Sequence, residues 1–109
     1  MTAPTTVPAT VTPDAAARIA ELGMQAEVEQ MIEHTRQTVP ALKRIEVVLE
    51  DAYDTWDQPY LTIHATRGDA YRPGDRVDQE WGHWRVSTFP PEVCQHITMM
   101  TRFEANNAG

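Results

Sequence analysis

Lys43-Arg44-Ile45-Glu46-Val47-Val48-Leu49-Glu50, then a nine-residue link, then Tyr60-Leu61-Thr62-Ile63-His64-Ala65-Thr66: this stretch decides the fold. In the first run Ile45, Val47 and Leu49 fall on one side of a period-two pattern, with Glu46, Val48 and Glu50 on the other. The second run repeats it, with Leu61, Ile63 and Ala65 set against Tyr60, Thr62, His64 and Thr66. Such alternation marks a strand with one face buried. The β-branched and aromatic content agrees. A register slip of one residue would turn the apolar set outward, so the pairing is well specified.

The link, Asp51-Ala52-Tyr53-Asp54-Thr55-Trp56-Asp57-Gln58-Pro59, is too long for a two-residue turn. With Glu50 it places four carboxylates within eight residues, with Tyr53 and Trp56 among them. Such a loop is either a solvated connector or a recognition surface, and loops carry function more often than cores do. Tyr53, Asp54, Trp56 and Asp57 are its candidate partner-binding residues.

Outside the hairpin, residues 1–12 are uncharged and rich in Thr and Pro. They bury too little apolar surface to offset their ordering entropy, which predicts a disordered or extended tail. Thr12-Pro13-Asp14 reads as a helix start: a capping hydroxyl, Pro at the first helical position, and an acid in the first turn. Gly23 either caps a first short helix or sits inside a longer one at a cost of about 1 kcal/mol. Met24, Val28, Met31, Ile32 and Thr35 keep one apolar helical face, and Pro40 ends it.

Beyond the hairpin, Tyr71-Arg72-Pro73-Gly74 is a turn. Asp75 then caps a second helical region in which Val77, Trp81 and Trp84 share a face. Gly82 weakens the helix, and the rival reading makes Trp84–Thr88 a strand. Trp81 and Trp84 are expected as core anchors. A short helical turn from Phe89 through Gln95 leads to a last strand in which Ile97, Met99, Thr101 and Phe103 alternate with Thr98, Met100 and Arg102. Residues 105–109 are expected to fray.

These elements predict one α+β domain over 13–104, in the order α(α)-β-β-α-β. It is a small two-layer sandwich with a three-stranded, mainly antiparallel sheet. The strand at 43–50 lies in the middle, that at 60–66 on one side and that at 97–103 on the other. The helices cover one face. The other face, with Glu46, Val48, Glu50, Tyr60, Thr62, His64, Thr98, Met100 and Arg102, is mixed in polarity. A partner or a second copy is expected to dock on that face or on a sheet edge.

Composition narrows the function. At 109 residues the chain is one domain, able to bury roughly 65% of its unfolded surface. Nine basic against sixteen acidic residues give a net charge of −7. That disfavours nucleic acid, whose phosphates need Lys and Arg, and suits a basic partner. A single cysteine, Cys94, excludes an intrachain disulfide and fits a reducing cytosol. No apolar run approaches a membrane span, and the N-terminus lacks the basic and apolar segments of a secretory signal.

Motifs with specific chemistry are lacking. His64, His83, Cys94 and His96 are the ligand and nucleophile types, but Cys94-Gln95-His96 has no zinc-site spacing and sequence shows no base beside Cys94. Asp51, Asp54 and Asp57 recur every third residue, which does not match a calcium loop. There is no phosphate-binding glycine loop and no G-x-S-x-G elbow. No metal and no cofactor is expected. Arg67-Gly68-Asp69 spells a cell-adhesion tripeptide, but three residues recur by chance. The layout is broadly similar to that of many short bacterial proteins, a likeness that implies no activity.

The sequence-based expectation is therefore a small acidic, cytoplasmic, non-catalytic interaction module of adaptor, accessory-subunit or antitoxin-like type. The alternative is a small enzyme or ligand-binding protein whose site uses His64, His83, Arg85 and His96 on the open sheet face or in a dimer cleft.

Overall fold

The computed structural model describes residues 7–51 and 59–104. Eight elements follow in order: β1 (Ala9–Val11), α1 (Pro13–Leu22), α2 (Gln25–Thr38), β2 (Leu42–Glu50), β3 (Tyr60–Arg67), α3 (Val77–Thr88), α4 (Pro91–Cys94) and β4 (Ile97–Phe103). The class is α+β. The sheet has four strands in the order β1-β2-β3-β4, so the three-stranded expectation is corrected.

The helix starts and stops follow local chemistry. Thr12 is the N-cap of α1 and its side chain accepts from the Ala15 N–H at 3.4 Å. Its own hydroxyl donates to Asp14 at 2.6 Å, the main reason the Asp14 carboxyl is held below its ordinary value. Gly23 terminates α1 with a φ of 66°, a left-handed conformation that costs glycine little, and its N–H donates to the Ala20 carbonyl. α2 ends at Thr38, just before Pro40. The region around Trp84 is helical through Thr88, which settles the rival strand reading against itself.

β2 and β3 form the antiparallel pair, with Val47 opposite Ile63 and Ile45 opposite Ala65. β4 does not flank β2. It runs parallel to β3, with Ile63 opposite Met99. The slot on the far side of β2 is filled by Ala9–Val11, part of the stretch expected as a tail, which pairs parallel to β2. Each parallel pair spans a long helical crossover, which parallel pairing needs. With β1 seated beside β2, β3 offers β4 the remaining inner edge. Both crossovers lie on one face and step in the same direction from oppositely directed strands. They therefore have opposite hands, and one runs against the usual right-handed preference.

The core lies between the helices and the inner sheet face. Ala15, Ile19, Val28 and Met31 meet Ile45, Val47, Leu61, Ile63, Ala65, Ile97 and Met99. Each fully buried Ile, Leu or Met contributes roughly 1.5–3 kcal/mol. Trp81 is 2% exposed and its indole N–H donates to Thr35 Oγ1 at 3.0 Å. Thr35 Oγ1 in turn donates to the Met31 carbonyl at 2.7 Å. This chain of bonds ties α3 to α2 through the core. The outer edge of β4 is partly closed by α3: Asp78 accepts from the Thr101 hydroxyl at 2.7 Å, and Arg85 donates to the Ile97 carbonyl. Engaging the open groups of an edge in this way discourages edge pairing. Among the described residues no helix is long and apolar enough to cross a membrane.

Candidate functional site on the uncovered sheet face

The strand registers convert the sequence pattern into a grid on the face opposite the helices. Across three adjacent strands, Arg44, Thr66 and Arg102 form one row; Glu46, His64 and Met100 form the next, extended by Thr10 on β1. Val48, Thr62 and Thr98 form the third, and Glu50 lies opposite Tyr60 beyond it. One end of this face is therefore basic and the other acidic.

The middle column is buried although no helix covers it: Thr62, His64 and Thr66 are 0, 6 and 7% exposed. Thr62 is satisfied, since its hydroxyl donates to Glu50 Oε2 at 2.9 Å. Burial pushes the Glu50 carboxyl up, but hydrogen bonds from Thr62 and Tyr60 and the adjacent His64 outweigh it, so the group is held below its ordinary value. His64 Nε2 lies 3.6 Å from Glu50 Oε1, beyond a good hydrogen bond. His64 Nδ1 is buried and has no partner among the described residues. A buried polar atom in this condition costs free energy and calls for a reason.

A cleft of about 350 Å³ opens at the basic end, lined by Thr10, Arg44, Glu46, His64, Thr66 and Arg102 among others. Arg44 pairs with Glu104 at 3.5 Å, but both are half-exposed and Glu104 also serves Lys43 at 3.4 Å. Among the described residues Arg102 makes no ion pair.

The residues singled out in the sequence are distributed differently. Tyr53, Asp54, Trp56 and Asp57 lie outside the described residues. His64 is at the centre of the open face. His83 is exposed on α3, in the helical layer on the opposite side of the sheet. Arg85 lies on the same helix and is committed to the Cys94 and Ile97 carbonyls. His96 precedes β4, with its Nε2 3.4 Å from Gln95 Nε2. The structure thus does not gather His64, His83 and Arg85 into one site, and no group of three metal-ligating residues occurs among the described residues. Cys94 is half-buried, its Sγ facing the Arg85 and Phe89 carbonyls at 3.5 and 3.6 Å.

Arg67-Gly68-Asp69 is occupied with itself. The Arg67 guanidinium, 3% exposed, grips Asp69 at 2.9 and 2.6 Å and Asp75 at 2.9 Å, and lies over the Phe103 ring. Its arginine is not presented as an adhesion ligand would be. A second depression, of about 270 Å³, lies between α2 and α3, where the His34 and Trp84 rings stack at 3.7 Å. Burial pushes the His34 imidazole down from its ordinary value.

Sequence reasoning missed Arg44, Thr10 and the pairing of Arg44 with Arg102. Arg102 was visible in the alternation of the last strand. Arg44 continues the alternation of Glu46, Val48 and Glu50 in one register, and the shift between Leu42 and Arg44 displaces only Leu42. The chain matches no protein-family model, no curated protein and no solved structure.

Proposed function

We propose that this protein is a non-catalytic interaction module that binds a partner protein through the uncovered face of its sheet. One observation carries the reading: the helices lie on one face of a four-stranded sheet, and among the described residues no element covers the other face, which has a mixed surface, from the exposed Met100 and half-buried Val48 to Arg102 and Glu46. A face combining apolar area with charges at its rim suits protein docking. The acidic, aromatic link that follows Glu50 and precedes Tyr60 belongs to the same reading, because it leaves and re-enters the sheet at the acidic end of that face.

The test uses tagged wild-type protein, the double variant Val48→Glu, Met100→Glu, and His83→Glu on the helical side, each exposed to an extract of its native host. A partner enriched by the wild type and by His83→Glu, but lost by the double variant, is the expected result. Identical profiles from the wild type and the double variant, with both folded, refute the reading. Native mass spectrometry of the same proteins shows whether the occupant is a second copy: a homodimer that dissociates only in the double variant would make it so.

A further inference from the structure

The geometry points to a binding site for a small oxyanion, a carboxylate or phosphate group of a small molecule, held between Arg44 and Arg102 above Thr66. The inference goes beyond partner docking and stands on different observations. Neighbouring strands lie about 4.8 Å apart, so two arginines flanking a central strand in one row have Cα atoms roughly 10 Å apart. Arg44, Thr66 and Arg102 are such a row, and all three line one cleft. Guanidinium groups present planar pairs of donors that fit carboxylate and phosphate oxygens, and a threonine hydroxyl between them adds a third donor.

The charge balance of this corner leaves room for an anion. In a chain of net charge −7, Lys43, Arg44 and Arg102 cluster here against two carboxylates, Glu46 in the cleft and Glu104, which serves Lys43 and Arg44. Arg102 makes no ion pair among the described residues. A second observation is His64, which is 94% buried, borders the cleft and carries a ring nitrogen without a partner among the described residues. Glu46 lines the cleft next to His64 and supplies the opposing charge. Its carboxylate can accept from a hydroxyl or amino group that lies beside the oxyanion.

The experiment is an NMR titration of the purified full chain with inorganic phosphate and, separately, with succinate, at constant ionic strength maintained with sodium chloride. The expected result is saturable movement of the Thr66, Glu46 and Arg102 amide signals with at least one probe, with a dissociation constant at least tenfold weaker in Arg102→Gln. Arg76→Gln, at the start of α3 and outside the cleft, should titrate like the wild type. Saturation by phosphate alone identifies a phosphate site, and saturation by succinate alone a carboxylate site. Linear, unsaturating shifts with both probes, or equal weakening by Arg76→Gln and Arg102→Gln, overturn the proposal. Partner docking would be untouched by that failure, since its test reads Val48 and Met100 instead.

Discussion

Replacing His64 by leucine should stabilise the protein. In the native chain the ring sits on the central strand, 6% exposed, with Nδ1 unpartnered and Nε2 3.6 Å from Glu50. Leaving a buried polar group unmet costs about 1–3 kcal/mol. The contact with Glu50 offsets little of that, because the Glu50 side chain is 34% exposed and such pairs contribute less than about 1 kcal/mol. Leucine removes the unmet nitrogen while filling similar space, and Glu50 keeps its bonds from Thr62 and Tyr60. The net gain is about 1 kcal/mol, which raises Tm by roughly 4–8 °C for a domain near this size. The assay is thermal unfolding of both proteins at pH 8, followed by circular dichroism and checked by urea denaturation. The same variant should weaken oxyanion binding. A folded His64→Leu protein whose Tm falls by several degrees would refute the reasoning, because the ring would then be supporting the fold.

Thr35→Val leaves the Trp81 indole N–H without its acceptor in the core and should cost about 1–3 kcal/mol. Adding Trp81→Phe should recover part of that loss, so urea denaturation of the four-member cycle should show coupling of about 1 kcal/mol; strict additivity would deny the bond its role. Arg67→Met should lower Tm and flatten the acid limb of stability. Hydrogen bonds from Arg67 and from the Val77 N–H hold the Asp69 and Asp75 carboxyls below 3.8, so their contribution is present above that value and lost as pH falls through the folded values. An unchanged acid transition in the variant would contradict this. His34 is pushed down from 6.5 by burial, so the native state binds fewer protons than the unfolded chain just below that value and stability should fall as pH drops below 6.5. His34→Phe keeps a ring against Trp84 and should remove this slope, measured by denaturation between pH 7 and 5.

The hairpin was legible because its alternation is nearly strict and its apolar side is the buried one: Ile45, Val47, Leu61, Ile63 and Ala65 are all at most 1% exposed. Thr12, Gly23 and Pro40 marked helix ends through side-chain and backbone chemistry confined to a few residues. Strand order was not legible. Whether Ile97–Phe103 joins β2 or β3 depends on what else occupies β2, and the occupant, Ala9–Val11, is too short and too plain in composition to announce a strand. The placement of the candidate site residues was not legible for a related reason. His64, His83 and Arg85 are all chemically plausible, but side-chain type says nothing about which layer carries them. Arg44 and Arg102 share a row because β4 runs parallel beside β3, a pairing that has no local signature.

Hydrogen bonding along the open column of β3 changes from one end to the other, and the change coincides with the change in charge. At the acidic end Thr62 gives its proton to Glu50, Glu50 takes a further bond from Tyr60, and the polar atoms are met within the chain. One step on, His64 has a buried nitrogen that no described residue meets, and a further step on lie two arginines, one of them without an ion pair among the described residues. A face selected only for solubility would not bury its histidine, and one selected only for stability would carry valine or isoleucine there, as the inner face of the same strand does at position 63. Polar residues retained at the centre of a sheet at a cost to stability mark the places where local rules give way to function. His64, Arg44 and Arg102 all line the one cleft at the basic end of the face, which is where the proposed oxyanion would sit.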